Sequence, residues 1–113
     1  MGYTNYWDQD MDFSEKQWKT VQEEVKYMQE IGSDTIVVSQ NDDNEIVING
    51  RPTCETFVLN RYKPKTPNYE GQDLTFNFCK TRELPYDIYV WHLLVFCAGM
   101  INNTDKFSIS RDR

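Results

Sequence analysis

The sequence of 113 residues predicts a single α+β domain over residues 1–113. Its length matches one domain of roughly 100–150 residues. Two segments repeat apolar residues at the three- and four-residue steps of helices, and six short runs of β-branched or aromatic residues alternate with period two. Their order, β-α-β-β-β-β-α-β, predicts a mainly antiparallel sheet of five to six strands with two helices packed on one face.

The chain opens with an alternating aromatic segment, Gly2–Trp7, which predicts a strand. Tyr3, Asn5 and Trp7 share one face of this strand, and the residues between them share the other. A terminal strand must pair with another strand to be ordered, so we expect it to lie within the sheet.

The first helix has the clearest local signals. Ser14 and Gln17 fit a capping box at its start, and Gly32 follows the last periodic residue as a C-cap. The apolar residues between them form one narrow stripe, which predicts a helix that buries a single face. These residues are Trp18, Val21, Val25, Met28 and Ile31.

The other strands are short runs bounded by turn-forming residues. They are predicted at Thr35–Val38, Glu45–Ile48, Glu55–Leu59, Leu74–Phe78 and Phe107–Ser110. In the run that begins at Leu74, alternation places Phe76 and Phe78 on an apolar side and Asn77 and Cys79 on a small or polar side. We expect one face of this strand to pack on the helices.

The second helix is predicted from Pro85, a favourable first-turn residue, to Ile101. It is apolar nearly all round, which is typical of a helix that is central to a core or half covered by a partner. We expect Ile88, Trp91 and Val95 to form a self-association surface, so the chain is predicted to be a homo-oligomer.

Composition excludes several classes of function. A net charge of −6 and a pI near 4.7 disfavour binding to duplex nucleic acid, which needs clustered Lys and Arg. Three cysteines at wide spacing and one histidine do not make a zinc motif, so no metal or other cofactor is expected. Reduced, mostly buried thiols are the simpler interpretation.

No secretory or membrane segment is visible. Met1 leads directly into a polar aromatic segment without a basic region or an apolar run. The longest apolar stretch, from Leu84 to Ile101, contains Asp87 and His92, which do not suit a bilayer. We therefore expect no membrane association and a cytoplasmic location.

The segment from Cys79 to Asp87 is the most suggestive one for chemistry. It joins a strand end to a helix N-terminus, where free N–H groups and the helix dipole favour an anion, and it supplies Lys80 and Arg82. Aromatic side chains of the first strand could stack a base beside it. The predicted ligand-binding residues are Tyr3, Asn5, Tyr6, Trp7, Lys80, Thr81, Arg82, Tyr86 and Asp87.

The structural alternatives to this site stay open. Thr81 or Glu83 could simply cap the helix while both cations are solvated, and alternating aromatics in a strand are common in a core and at its rim. Cys79 and His92 could act as a nucleophile and a base, but no residue is placed to orient the imidazole. No catalytic residue is predicted.

Three short blocks resemble a family of small proteins of bacteriophages and large DNA viruses that open with a Gly-Tyr-Thr-x-Tyr-Trp segment. The blocks are Met1–Trp7, Asn49-Gly50 with Glu55–Val58, and Phe78–Thr81 with Pro85–Asp87. The resemblance implies a viral setting in the host cytoplasm, where small non-enzymatic proteins counter host defence. It implies no assigned activity.

Residues and resemblance together predict a non-enzymatic binding protein that sequesters a phosphate-bearing small molecule such as a signalling nucleotide. One alternative is an acidic inhibitor of a host defence protein that mimics the charge of nucleic acid. Its charge would come from Asp8, Asp10, Asp12, Glu23, Glu24, Asp42, Asp43 and Glu45. A structural or assembly factor, suggested by the apolar second helix, is the third hypothesis.

Overall fold

The structure is a computed structural model that describes residues 3–63 and 75–112. Within these residues it contains two helices and six strands in the predicted order, so the α+β class is confirmed. The elements are β1 (Thr4–Gln9), α1 (Glu15–Ile31), β2 (Ile36–Asn41), β3 (Glu45–Gly50), β4 (Phe57–Asn60), β5 (Phe76–Lys80), α2 (Asp87–Ile101) and β6 (Phe107–Asp112).

The strands form two antiparallel sheets of three strands each, where the sequence predicted one sheet. The first sheet has the order β5-β1-β6 and the second the order β2-β3-β4. Strands β2, β3 and β4 follow one another along the chain and pair with their neighbours. Both edges of β1 pair with strands from the C-terminal half, and the period-two pattern does not specify such partners.

Helix α1 forms as its capping signals predict. The Ser14 hydroxyl accepts a hydrogen bond from the Gln17 backbone N–H, and the Gln17 side chain accepts one from the Ser14 N–H. At the other end the Gly32 N–H donates to the Met28 carbonyl oxygen. The predicted stripe is buried except for Ile31, which is exposed.

Helix α2 begins at Asp87, two residues later than predicted. Its N-cap is Tyr86, whose side chain makes no capping hydrogen bond within the described residues. The helix packs against α1, β6 and β1. Its inner side contributes Val90, Leu93, Leu94 and Cys97, all fully buried, so it is central to the core.

One hydrophobic cluster joins both sheets and both helices. Two glycines allow aromatic rings of the α2 region to approach closely. A Cβ at Gly50 would lie 2.4 Å from the Tyr86 ring, and a Cβ at Gly32 would lie 2.6 Å from the Tyr89 ring. Any larger residue at either position would require the backbone or the ring to move.

Strand β5 packs with its less apolar face inward. Cys79 is buried, whereas Phe76 and Phe78 are 54% and 57% exposed. The pairing explains this orientation, because Tyr6 lies opposite Phe78, and cross-strand partners point to the same side of a sheet. The buried Trp7 fixes the inner side of β1, so the phenylalanines lie on the outer side.

Most predicted element boundaries differ from the observed ones by one to three residues. Gly2 and Leu74, the first residues of two predicted strands, lie outside the described residues. In the part of the chain that the structure describes, neither helix combines the length and apolar character needed to cross a bilayer.

Candidate functional site

A buried polar network occupies the predicted anion site at the start of α2. The Asp87 Oδ1 atom accepts hydrogen bonds from the Asn5 amide at 2.8 Å and from the Thr81 hydroxyl at 2.6 Å. Arg111 donates from Nη2 to Asp87 Oδ2 and from Nε to Asn5 Oδ1, the latter at 3.0 Å. The network thus joins β1, β6 and the turn before α2 through three predicted residues and Arg111.

The carboxylate of Asp87 supplies the negative charge that the N-terminus of α2 favours. Its side chain is only 6% exposed, and that of Arg111 is 17% exposed. The Arg111 guanidinium also lies over the Trp91 ring, 4.6 Å from its centroid. Because the Asp87 carboxylate already accepts hydrogen bonds from three side chains, it links β1, β6 and α2. Little room remains there for the phosphate of a ligand.

Sequence reasoning missed Arg111. The predicted closing strand ended at Ser110, whereas β6 continues to Asp112. One signal was available, since period two places Arg111 on the same face as Phe107 and Ile109. A cation that follows two apolar residues on the inner face of a strand is expected to have a buried partner.

The turn between β5 and α2 has a left-handed backbone. Arg82 and Glu83 both have φ of 56°, a conformation that is uncommon for residues other than glycine. The Tyr3 carbonyl oxygen holds the turn by accepting hydrogen bonds from the Thr81 and Arg82 N–H groups at 3.0 and 3.2 Å. Arg82 is exposed, and Tyr3 is half-buried.

Two of the predicted ligand-binding residues are core residues. Trp7 is buried, and its ring centroid lies 5.1 Å from that of Phe57. Tyr86 is also buried, and its hydroxyl donates to the Glu55 carbonyl oxygen at 2.8 Å. Burial raises the pKa of Tyr86 to about 12. Neither ring presents a face on which a ligand could stack.

The outer side of the first sheet carries a row of aromatic side chains, of which Phe76 and Phe78 are exposed and Tyr6 is half-buried. Tyr6 stacks on Phe76 with ring centroids 5.7 Å apart, and Phe76 lies 6.3 Å from Phe78. Lys80 follows on the same side of β5, opposite Thr4. We call these four residues, Tyr6, Phe76, Phe78 and Lys80, the aromatic face. It contains two predicted site residues, Tyr6 and Lys80, and two that the sequence had not assigned.

A shallow groove of about 380 Å³ runs across the aromatic face. Its lining consists of Thr4, Tyr6, Phe76, Phe78, Lys80 and Asp112. Lys80 can donate to a phosphate, and Asp112 can accept from hydroxyl or amino groups. Asp8 lies opposite Phe76 on the same side, so among the described residues of this face two carboxylates accompany the one ammonium group. The face therefore offers stacking area with little net attraction for a polyanion.

Cys79 and His92 do not form a catalytic pair. The Cys79 thiol contacts the Glu55 carbonyl oxygen at 3.5 Å, and His92 Nε2 lies 2.5 Å from Glu24 Oε2. Burial, with a smaller effect of the Glu55 charge, raises the pKa of Cys79 to about 12. A thiol of that acidity is almost entirely protonated at neutral pH and is a poor nucleophile.

The residues predicted for self-association lie on or beside the outer side of α2. Ile88 is 72% exposed and Val95 is 46% exposed. Trp91 is half-buried beneath the Arg111 guanidinium. Two of the three predicted residues thus present apolar surface to solvent.

Several of the acidic residues already have partners within the chain. Asp10 contacts Lys63 Nζ at 2.5 Å, which lowers the pKa of Asp10. Asp42 accepts hydrogen bonds from two backbone N–H groups and from Gln40, and these bonds lower its pKa. Glu24 contacts His92. These three carboxylates serve local structure.

Among residues 3–63 and 75–112, no three His, Cys, Asp or Glu side chains converge to hold a metal ion. Comparison of the chain with protein-family models, with curated proteins and with solved structures gave no match. The geometry of the aromatic face is therefore the basis for a functional proposal.

Proposed function

We propose that this chain is a non-enzymatic binding protein that sequesters a small, planar, phosphate-bearing molecule such as a nucleotide on its aromatic face. The observation that carries the proposal is the continuous set of rings from Tyr6 to Phe76 to Phe78, which ends at the Lys80 ammonium group. Large aromatic side chains that remain exposed to solvent present apolar surface area, and such area commonly marks a binding surface.

The ring arrangement suits a nucleobase. A base has a π-face that can stack on Phe78 or Phe76, and each such contact contributes about 1–3 kcal/mol. Lys80, on the same strand, would then contact the phosphate as a charge-assisted donor. Asp112 would accept from a ribose hydroxyl or an exocyclic amino group.

The charge of the face favours a single nucleotide over a nucleic acid strand. Lys80 is accompanied by Asp8 and Asp112 on the same side, and the whole chain carries a net charge of −6. A strand of phosphates would need several cations along its path. In the viral setting that the resemblance implies, such binding would remove a host signalling nucleotide without any chemical step.

The aromatic face replaces the turn before α2 as the main part of the proposed site. The carboxylate of Asp87 places its own negative charge at the start of α2, next to that turn, and leaves little room for a ligand phosphate there. The acidic-inhibitor hypothesis receives less support, because Asp10, Glu24 and Asp42 are engaged within the chain.

Calorimetric titration with adenosine and guanosine 5′-monophosphates, and with the two nucleosides, tests the proposal. We expect Phe78→Ala to weaken nucleotide binding by roughly 5- to 150-fold, the equivalent of one lost stacking contact. Lys80→Ala should weaken the binding of the nucleotides and leave the binding of the nucleosides unchanged, because only the nucleotides carry a phosphate.

Tyr27→Ala is the matched control for Phe78→Ala, because Tyr27 is an equally exposed aromatic residue on α1. This variant should bind as the unmodified chain does. Absence of binding to all four compounds at millimolar concentration, or equal affinity in Phe78→Ala, would contradict the proposed site. Native mass spectrometry of protein purified gently from infected cells would then show whether a host polypeptide is bound instead.

A further inference from the structure

We propose that the outer side of α2 is a two-fold interface with a second copy of this chain, formed by antiparallel packing of the two α2 helices. The interface is centred on four exposed residues that we call the α2 stripe, namely Ile88, His92, Val95 and Gly99. Their spacing of four, three and four residues places them in one line along the helix.

The α2 stripe differs from an ordinary solvated helix face. The exposed side of a surface helix is normally charged, but α2 contains no Lys, Arg or Glu, and its one Asp is buried. The residues that flank the stripe are also apolar and only partly buried. They are Trp91, Phe96, Ala98 and Met100.

Helix α1 extends this surface. Tyr27 and Ile31 are both more than half exposed beside Ile88. A cleft of about 220 Å³ lies between the two helices, and its lining is mainly apolar. Ile31 was predicted as part of the buried stripe of α1, but it is exposed, and the described part of the chain does not cover it.

Gly99 is the observation that points to a second helix. Apart from its two chain neighbours and the adjacent backbone of α2, no heavy atom of the described residues lies within 4 Å of the position that a Cβ would occupy, so packing against the rest of the described chain does not require glycine. Glycine inside a helix costs about 1 kcal/mol relative to alanine. A glycine at the surface of an apolar helix allows the backbone of another helix to approach closely.

The α2 stripe is self-complementary under two-fold symmetry. An axis that passes midway between His92 and Val95 places Ile88 of each copy opposite Gly99 of the other, because the two residues lie equally far from that point. The largest exposed side chain of the stripe then meets the smallest residue. Symmetric dimers need such an isologous fit, in which residue i contacts j and j contacts i.

Charge opposes a second copy less at this surface than on the acidic parts of the chain. Two chains that each carry a net charge of −6 repel one another, and they meet most easily where carboxylates are few. The stripe itself has His92 as its one titratable side chain, with Glu24 of α1 in contact with it.

The size of the surface predicts a weak dimer. A strip about 22 Å long and two helix widths across covers about 450 Å² on each copy. Stable interfaces bury about 800 Å² per partner, so we expect a dissociation constant in the micromolar range or above. The aromatic face belongs to the first sheet and not to the helices, so dimerisation and nucleotide binding can be tested separately.

Sedimentation equilibrium of the whole chain up to about 0.5 mM tests the proposal. The unmodified chain should show a concentration-dependent dimer, and Gly99→Leu should weaken it at least tenfold by separating the helices. Leucine is a better helix former than glycine, so the thermal midpoint of the Gly99→Leu monomer should not fall. Lys26→Leu is the control, since it adds leucine to another exposed helix position and should leave the dimer unchanged.

Cysteine cross-linking tests the direction of packing. In a Cys54→Ser background, a mixture of Ile88→Cys and Gly99→Cys chains should form a disulfide between the two variants. Cross-linking of Ile88→Cys chains to each other would show a parallel arrangement and overturn the proposed axis. A monomer at every concentration, or an unchanged dimer in Gly99→Leu, would overturn the interface.

Discussion

The buried network around Asp87 makes a sharp prediction about stability. Replacement of Arg111 by methionine keeps an unbranched apolar stem near Trp91 but leaves the Asp87 carboxylate without its cation. Removing one partner of a buried ion pair typically costs 3–5 kcal/mol, because the remaining charge stays buried and uncompensated. Since Arg111 is 17% exposed and water can approach it, we expect about 3 kcal/mol.

Urea denaturation followed by circular dichroism measures this cost, and a double-mutant cycle separates the pair from other effects. Asp87→Asn should cost about 2 kcal/mol, because its amide would face the Arg111 donors while the Thr81 hydroxyl keeps an acceptor. The free energy of unfolding that the double variant loses should be smaller, by at least about 1 kcal/mol, than the sum of the losses in the two single variants.

Lys19→Met provides the comparison on the surface. Lys19 and Glu15 form an exposed ion pair at 3.9 Å, so its loss should cost no more than about 0.5 kcal/mol. If Arg111→Met proves as mild as Lys19→Met, or if the two network variants are simply additive, then the Asp87 charge does not depend on Arg111 and the reasoning fails.

Three further outcomes follow from buried groups. Burial holds the pKa of Cys79 near 12 and raises that of Cys97, so the unfolded chain loses these protons first and stability should fall as pH rises above about 9. Denaturation in reductant at pH 8, 9 and 10 would measure a slope of at most about 1.4 kcal/mol per pH unit for each thiol, and Cys97→Ala should reduce it. In native protein, a thiol reagent should modify the half-buried Cys54 first, and mass spectrometry would detect early labelling of the other two cysteines if burial does not protect them. Gly50→Ala should cost about 1–3 kcal/mol in the same denaturation assay, because its Cβ would overlap the Tyr86 ring, and an unchanged midpoint would contradict that contact.

Helix α1 shows how far local sequence could predict the fold. Its capping box, apolar stripe and C-terminal glycine all involve residues within a few positions of one another, so the interactions that define it are present in the sequence itself. The six strands were identified for the same reason, since alternation and turn residues are local patterns. The division of the strands into two sheets was not predicted, because the pairing of strands depends on segments that are distant in the sequence.

The candidate site shows the same limit. The sequence predicted that Tyr6 and Lys80 bind a ligand, but it did not place Phe76 and Phe78 beside them. Alternation shows which residues share a face of a strand, whereas the pairing with β1 and the burial of Trp7 decide which face is outside. A shift of one residue in that pairing would have turned the phenylalanines inward.

The sequence by itself determined the α+β class, the order of the elements, the ends of α1 and the apolar character of α2. Only the tertiary structure decided that Asp87 is linked to Arg111, that Trp7 and Tyr86 are core residues, and that the aromatic face looks outward. Asn5 and Arg111, which hydrogen bond to each other, are 106 positions apart in the chain. Local hydrogen bonds and side-chain spacing define single elements, but contacts over such separations depend on how all the elements share one core.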